Sequence, residues 1–315
     1  MSSLTDQVAT LDGAVKDYGS KKIGPINLTV GAGEIMGFLG PNGSGKSTTI
    51  RMLLGLIRPS SGTVRLMQSD PIRHHEKALA GVGYSPELPN LQTFLSPREL
   101  LRLTGRLCGL DGNAAEGGIV KLLEDVGLAE YGDYKISKLS KGMVQRLSIA
   151  QAMVGSPRLL ILDEPTIGID PAGVVHFRSL FSEFVRNGGT IVMSSHILSE
   201  VEALCTSLAV IHSGSLVYRG PLQDFVPTWV SSRTISIELE GAPDDRLVKA
   251  LSNVKGVRRV EVENTRLLVE VSKESDPRGE ISKTVVDSGA RLLSIGFSRD
   301  ELQEAYVNSM RGTVG

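Results

Sequence analysis

Residues 40–48 read Gly-Pro-Asn-Gly-Ser-Gly-Lys-Ser-Thr. Gly40, Gly43 and Gly45 carry no side chain to hold phosphate oxygens off the backbone, so successive N–H groups can converge on an anion. Lys46 adds a point charge for β and γ phosphates, and Ser47 offers a hydroxyl to Mg²⁺. A helix starting here aims the positive end of its dipole at the same place. A second chemical set lies at residues 158–164, Arg-Leu-Leu-Ile-Leu-Asp-Glu, an apolar run ending in two acids. A buried strand of that kind delivers both carboxylates to the carboxyl edge of a sheet, where a phosphate loop also lies. The acids divide the work: Asp163 holds Mg²⁺ through water, and Glu164 orients or deprotonates the water that attacks a γ phosphate.

These residues need a scaffold, and the sequence supplies one. Residues 34–39 read as a buried strand and 48–57 as an apolar helix, the strand, loop, helix order that a phosphate loop requires. Short strands are expected at residues 8–15 and 23–30, beside the nucleotide sheet, with others at 63–67 and 82–85. Ser96-Pro97-Arg98-Glu99 is a capping box with proline at the first helical position, and Leu100, Leu101, Leu103 and Leu107 follow at helical spacing. Helical patterns continue at 120–126 and 143–154, so residues 87–155 are expected to form an α-helical insertion. Strands and helices then alternate: 159–162, 172–186, 190–194, 197–204, 208–212 and 215–218. The core is therefore read as α/β with a mainly parallel sheet. From about residue 226 to 315 a β-α-β-β-α-β pattern with one appended helix predicts a small ferredoxin-like α+β domain after a first domain of residues 1–225.

Composition narrows the classes. The 315 residues carry 34 Lys plus Arg against 35 Asp plus Glu, a net charge of -1, which lacks the basic footprint of a nucleic-acid binder. Cys108 and Cys205 fit neither a zinc pattern nor a disulfide framework, so a reducing compartment is expected and both read as small buried apolar residues. The first ten residues lack the cationic start and apolar run of a cleaved signal. No apolar run approaches the roughly 18–20 residues that cross a bilayer, so the chain is expected to be soluble by itself.

Tyr18, the phosphate loop, Leu139-Ser140-Lys141-Gly142-Met143, the Asp163-Glu164 strand, Gly168-Ile169-Asp170 and Ser195-His196 occur in an order that resembles the nucleotide-binding subunit of an ATP-binding cassette (ABC) transporter. The resemblance covers roughly residues 8–225. It implies a phosphate-loop ATPase core with an antiparallel flank and a helical subdomain, binding ATP and Mg²⁺. It implies that Tyr18 stacks on adenine, and that Gly40, Pro41, Asn42, Gly43, Ser44, Gly45, Lys46, Ser47 and Thr48 hold the phosphates. Lys46, Glu164 and His196 would serve hydrolysis, His196 as a switch touching the γ phosphate. Ser47, Asp163 and Glu87 would hold the metal. Ser140 and Gly142 would bind the γ phosphate held by a second nucleotide-binding subunit, most simply another copy, while Asp170 would pass information across that dimer. A separate transmembrane permease would hold the chain at the inner face of the cell membrane, on the cytoplasmic side.

Three positions depart from the family pattern. Glu87 stands where glutamine is usual, and adds negative charge near a triphosphate. Lys141 and Met143 replace the third and fifth residues of the common Leu-Ser-Gly-Gly-Gln signature. These variants, with a C-terminal extension of this size, resemble the branch that energises exporters of drugs, antibiotics, polysaccharides or ions. Two other classes stay open: a soluble cassette ATPase acting on ribosomes or DNA, and a phosphate-loop GTPase switch. The first tends to carry two cassettes or a long coiled coil, and the second an Asn-Lys-x-Asp segment; neither is visible. Finally, Arg98, Arg102 and Arg106 recur every four residues, a repulsive stripe that reads either as a solvated face relieved by Glu99 or as a surface meeting acids of a membrane subunit or anionic headgroups.

Overall fold

The computed structural model describes residues 7–110, 113–230, 232–272, 275–297 and 301–312. The chain divides between Leu222 and Gln223 into two compact units. In chain order the first unit runs β1 (Gln7–Asp17), β2 (Lys22–Gly31), β3 (Ile35–Leu39), α1 (Lys46–Leu53), β4 (Ser61–Leu66), α2 (His75–Leu79) and β5 (Val82–Ser85). It continues through α3 (Pro97–Leu107), α4 (Asn113–Asp125), α5 (Lys141–Met153), β6 (Leu159–Leu162), α6 (Pro171–Arg186), β7 (Thr190–Ser195), α7 (Leu198–Leu204), β8 (Ser207–His212) and β9 (Ser215–Pro221).

Six strands form the central sheet in the order β5-β6-β7-β3-β8-β9, parallel except for the β8–β9 pair. Strands covered on both faces must be apolar throughout, and every residue of β3, β6 and β7 is buried. A separate antiparallel sheet, β2-β1-β4, shares a core with it that includes Leu11, Ile26, Leu28, Met36, Phe38 and Ile161. Each such side chain contributes about 1.5–3 kcal/mol by leaving water. α1 ends four residues short of the expected helix because Gly55 turns at φ 67, with its α-carbon face closed by the Pro71 carbonyl.

Between β5 and β6 the described elements are helical. α3 begins with the capping box: Ser96 Oγ accepts from Glu99 N–H at 3.2 Å and Glu99 Oε2 accepts from Ser96 N–H at 2.7 Å. α5 is tied to the sheet at β5. A Cβ at Gly83 would fall 1.9 Å from the Ala152 carbonyl, and the Ser85 and Ser148 hydroxyls are 2.7 Å apart. That contact fixes the helical subdomain against the sheet edge that carries the chemistry.

α8 (Leu222–Trp229) begins on the last residue of the first unit, and the second unit continues with β10 (Ser232–Leu239), α9 (Asp245–Ser252), β11 (Val257–Glu263), β12 (Arg266–Ser272), α10 (Arg278–Asp287), β13 (Leu292–Phe297) and α11 (Glu301–Arg311). Its antiparallel sheet has the order β11-β12-β10-β13, the arrangement of a split β-α-β-β-α-β unit. Alternation along β10 and β12 sends Ile235, Ile237, Leu267 and Val269 into a core with Leu247 and Leu251 of α9 and Ile281 and Val285 of α10. No described helix is long and apolar enough to cross a membrane.

One cysteine is buried as the sequence suggests and the other is not. Cys205 is buried and burial pushes its thiol up to about 12, whereas Cys108 is exposed at the end of α3, where the helix stops before Gly109. A thiol is reactive as its thiolate and only when reached. A colorimetric thiol reagent should therefore titrate one cysteine in the native protein and two in denaturant, and replacing Cys108 by serine should remove the native signal.

Candidate functional site

The site is assembled by register. β3 pairs with β7 so that Leu39 lies beside Ser195, and β6 pairs with β7 so that Leu162 lies beside Met193. The carboxyl ends of β6, β7 and β3 therefore sit side by side, and each releases its chemical residues there: Asp163 and Glu164, Ser194 to His196, and the phosphate loop. β5, the next strand out, leads to exposed Glu87.

The loop is built for close backbone approach. Gly43 turns at φ 77 and Gly45 at φ 120, the latter capping α1. A Cβ at Gly40 would lie 2.2 Å from the Ile211 carbonyl oxygen, and one at Gly45 would lie 2.9 Å from Ile23 Cγ2. Ser44 is buried and its Oγ has no hydrogen-bond partner. An orphaned hydroxyl in a glycine cradle at a helix start fits an anion such as a triphosphate. Lys46 Nζ, only 5 % exposed, donates to the Gly40 carbonyl at 2.7 Å and sits 3.3 Å from Glu164 Oε1.

Glu164 is held by three groups. It occupies the left-handed region at φ 49, costly for a side chain of this size, and its N–H donates to Ser194 Oγ at 2.9 Å. That hydroxyl donates onward to Asp163 Oδ1 at 2.5 Å, so one serine fixes both acids. Glu164 Oε2 faces His196 Nδ1 at 2.9 Å; against a carboxylate, Nδ1 is the ring nitrogen that carries hydrogen. Asp163 Oδ1 also accepts from Ser47 Oγ at 3.3 Å. The Asp163 charge, after burial, helps push the Tyr84 phenol above its usual range. Ser47 and Asp163 form an oxygen set suited to Mg²⁺, which commonly takes one or two protein ligands and completes its shell with phosphate and water. Among the described residues no group of three or more His, Cys, Asp or Glu forms a self-sufficient metal cage.

A cavity of about 310 Å³ opens beside these groups; Asp163, Ser194 and His196 do not line it. Tyr18, Asn42, Gly43, Gly45, Lys46, Ser47, Thr48, Glu87 and Glu164 line it, with Tyr18 half exposed on the β1–β2 turn. Lys21 and Ile23 line it as well, and neither was singled out from sequence. Lys21 Nζ donates to the Gly43 carbonyl. Its one available signal was position: the Tyr18 N–H to Lys21 carbonyl turn, 2.9 Å, brings both side chains to the same hairpin tip. Ser194 was missed because a buried hydroxyl inside an apolar strand has no distinguishing spacing.

Ser140, Gly142 and Asp170 do not line this cavity. Ser140 is exposed and caps α5, accepting from Met143 N–H at 3.3 Å. Asp170 caps α6, accepting from Gly173 N–H at 3.0 Å. Two arginines of the stripe, Arg98 and Arg102, find acids within the chain, while Glu99 pairs with Lys135 at 3.5 Å. Arg98 forks onto Asp133 at 3.0 and 3.3 Å, and Arg102 onto Glu116, because the turn after α4 and the start of α4 pack beside α3.

This fold and constellation define a phosphate-loop ATPase cassette. Residues 23–167 match the family model described as ABC transporter. Over 303 residues the chain is 35% identical to bacitracin transport ATP-binding protein BcrA of Bacillus licheniformis, covering 95% of this chain and 96% of that one. It is 35% identical to Nod factor export ATP-binding protein I of Bradyrhizobium sp. (strain SNU001), covering 75% and 77%. A solved structure titled as the ATP binding subunit of an ABC transporter superposes with a TM-score of 0.65 at 29% identity, over 70% of this chain and 92% of that one. The chain belongs to the ATP-binding, ATP-hydrolysing subunits of the ABC transporter family.

Replacing Ser194 by alanine removes the bond that holds both acids while deleting a single oxygen. The expected result is a stability loss of about 1–3 kcal/mol in denaturant titration. ATP turnover should fall by about tenfold or more, since misplaced catalytic groups are costly.

Proposed function

We propose that two copies of this chain close around two ATP molecules, and that closure drives a separate transmembrane permease moving its cargo outward. The observation that carries this reading is the split of the site. Lys46, Asp163, Glu164 and His196 are bonded to one another or to the phosphate loop of one chain, whereas Ser140, whose hydroxyl caps α5, and Gly142 lie at the start of that helix in the helical subdomain. A signature that its own chain does not use is free to complete the site of another. The outward direction rests on Glu87, Lys141 and Met143, on the C-terminal unit that the BcrA alignment includes, and on the export named for the rhizobial relative. On this reading the chain sits on the cytoplasmic face, attached through its permease.

Each residue has a task in that scheme. Tyr18 offers a ring for adenine, and the loop N–H groups with Lys46 hold the phosphates. Lys46 now spends its charge on Glu164; a bound triphosphate would take that charge over and leave Oε1 available to the attacking water. His196 holds Oε2, which fixes the direction of the free oxygen. Ser47 and Asp163, with Glu87 nearby, would hold Mg²⁺, which supplies charge neutralisation for the phosphate oxygens. Asp170 sits at the edge facing the second copy.

Glu164→Gln keeps the shape and removes the base. It should bind ATP normally in equilibrium titration, lose most turnover, and run as an ATP-dependent dimer in size-exclusion chromatography with light scattering; near-normal hydrolysis would remove Glu164 as the base. Lys21→Ala should raise the ATP dissociation constant by about three- to tenfold, less so at high salt, with Lys21→Arg recovering most of it. Copurification of the intact chain from membranes with a multi-span protein tests the permease, and its absence would favour a soluble cassette ATPase.

A further inference from the structure

Arg146 lies on α5, one turn beyond Gly142, and its guanidinium reaches off the helix in two directions. Nη1 donates to the Val126 carbonyl, just past the end of α4, at 3.4 Å, and Nη2 donates to Asp170 Oδ1 at 3.4 Å. The backbone closes on it from both sides. A Cβ at Gly127 would lie 2.9 Å from Nη1, and one at Gly173 would lie 2.7 Å from Nη2. Its side chain is 22 % exposed, so the pair is partly sheltered from water on the arginine side. A second contact points the same way: a Cβ at Gly142 would fall 2.5 Å from the Gly168 carbonyl oxygen, so the first turn of α5 rests on the segment leading to Asp170.

That segment is short and wound. Ile167 N–H donates to the Glu164 carbonyl at 3.3 Å and Ile169 N–H to the Thr166 carbonyl at 3.0 Å, two turns that join Glu164 to Asp170. Arg146, Asp170 and these turns therefore form a continuous path of contacts from α5 to Glu164.

We propose that Arg146 is a positioning residue that binds the Ser140–Gly142 end of α5 to the Asp170 loop of the same chain, so that both are presented to the second copy as one surface. The proposal rests on the two-copy reading above. It has a further consequence: a chain's Ser140 and Gly142 serve the partner's nucleotide while its Glu164 serves its own, so the clamp links the two nucleotide sites mechanically. A lysine carries the charge but is a single point donor, and cannot reach Val126 and Asp170 together as a planar fork does.

The test uses the full chain carrying Glu164→Gln. Adding Arg146→Lys should leave ATP binding to the monomer within about twofold and the melting temperature near that of the parent. It should raise the protein concentration needed for the ATP-dependent dimer by about tenfold. Asp170→Asn, which keeps an oxygen to cap Gly173, should do the same. Combining the two should cost no more than the worse single change, because both remove one interaction. Dimerisation of the Arg146→Lys protein at the parent's concentration, or losses that multiply in the double variant, would overturn the clamp. Failure of the Glu164→Gln parent to dimerise would instead overturn the two-copy reading. Should Arg146→Lys fold poorly, Arg146→Gln, which keeps a donor but loses the charged fork, takes its place in the same single and double comparisons.

Discussion

The parallel register of β6, β7 and β3 is the constraint on which the rest of the first unit depends. β3 and β7 end level, at Leu39 and Ser195, and β6 ends two residues earlier, beside Met193, so three loops that are far apart in sequence discharge into one small volume. A sheet of this kind has to be apolar on both faces, which confines polar chemistry to its edge. The exceptions inside β7 follow the same logic. Ser194 is fully buried, yet its hydroxyl reaches the edge and is spent entirely on Asp163 and the Glu164 backbone.

The acid pair imposes the second condition. Burying Lys46 against Glu164 takes two charges from water, and attraction between them offsets that cost only where other hydrogen bonds satisfy the remaining atoms. Here the Gly40 carbonyl and His196 do so. Such a pair is a poor source of stability and a good store of readiness, since an arriving polyanion replaces one partner of the lysine without leaving it bare. The left-handed backbone at Glu164 belongs to the same account. Its strain of about 1–3 kcal/mol is tolerated because Ser194 and the two turns after it leave the residue little alternative.

Much of this was legible in the sequence because the signals were periodic or punctuated. The apolar runs of β3, β6 and β7, the capping box at Ser96 and the glycine spacing at residues 40–45 each have one physical reading. α2 was not legible: it is only five residues long, too short for a helical period to stand out from chance. α8 was hidden by Pro227, which argues against helix in any window that contains it. Lys21 and Ser194 were missed for a different reason, since their roles come from tertiary neighbours more than 20 residues away. The arginine stripe was read as relieved by Glu99 or by acids outside the chain, because sequence spacing along one helix says nothing about which turn packs beside it. Asp133 and Glu116 supply the answer, while Cys108 is exposed because α3 ends before it can turn back into the core.

The departures at residues 141 and 143 also find a physical reason. Within the signature, Ser140 works by a side-chain oxygen that accepts from the backbone N–H of residue 143, a group that any residue but proline provides. Gly142 is confined by the Gly168 carbonyl, which leaves no room for a Cβ. Lys141 is exposed and Met143 is half buried, so neither faces a comparable restriction. The folded chain therefore restricts two of these positions sterically or through the cap and leaves the other two to the demands of whatever faces them. A lysine added there places a cation at the N-terminal end of α5, against the local dipole, at a cost of some tenths of a kcal/mol. In the proposed two-copy arrangement, a triphosphate brought up by a second chain would attract that cation and offset the cost.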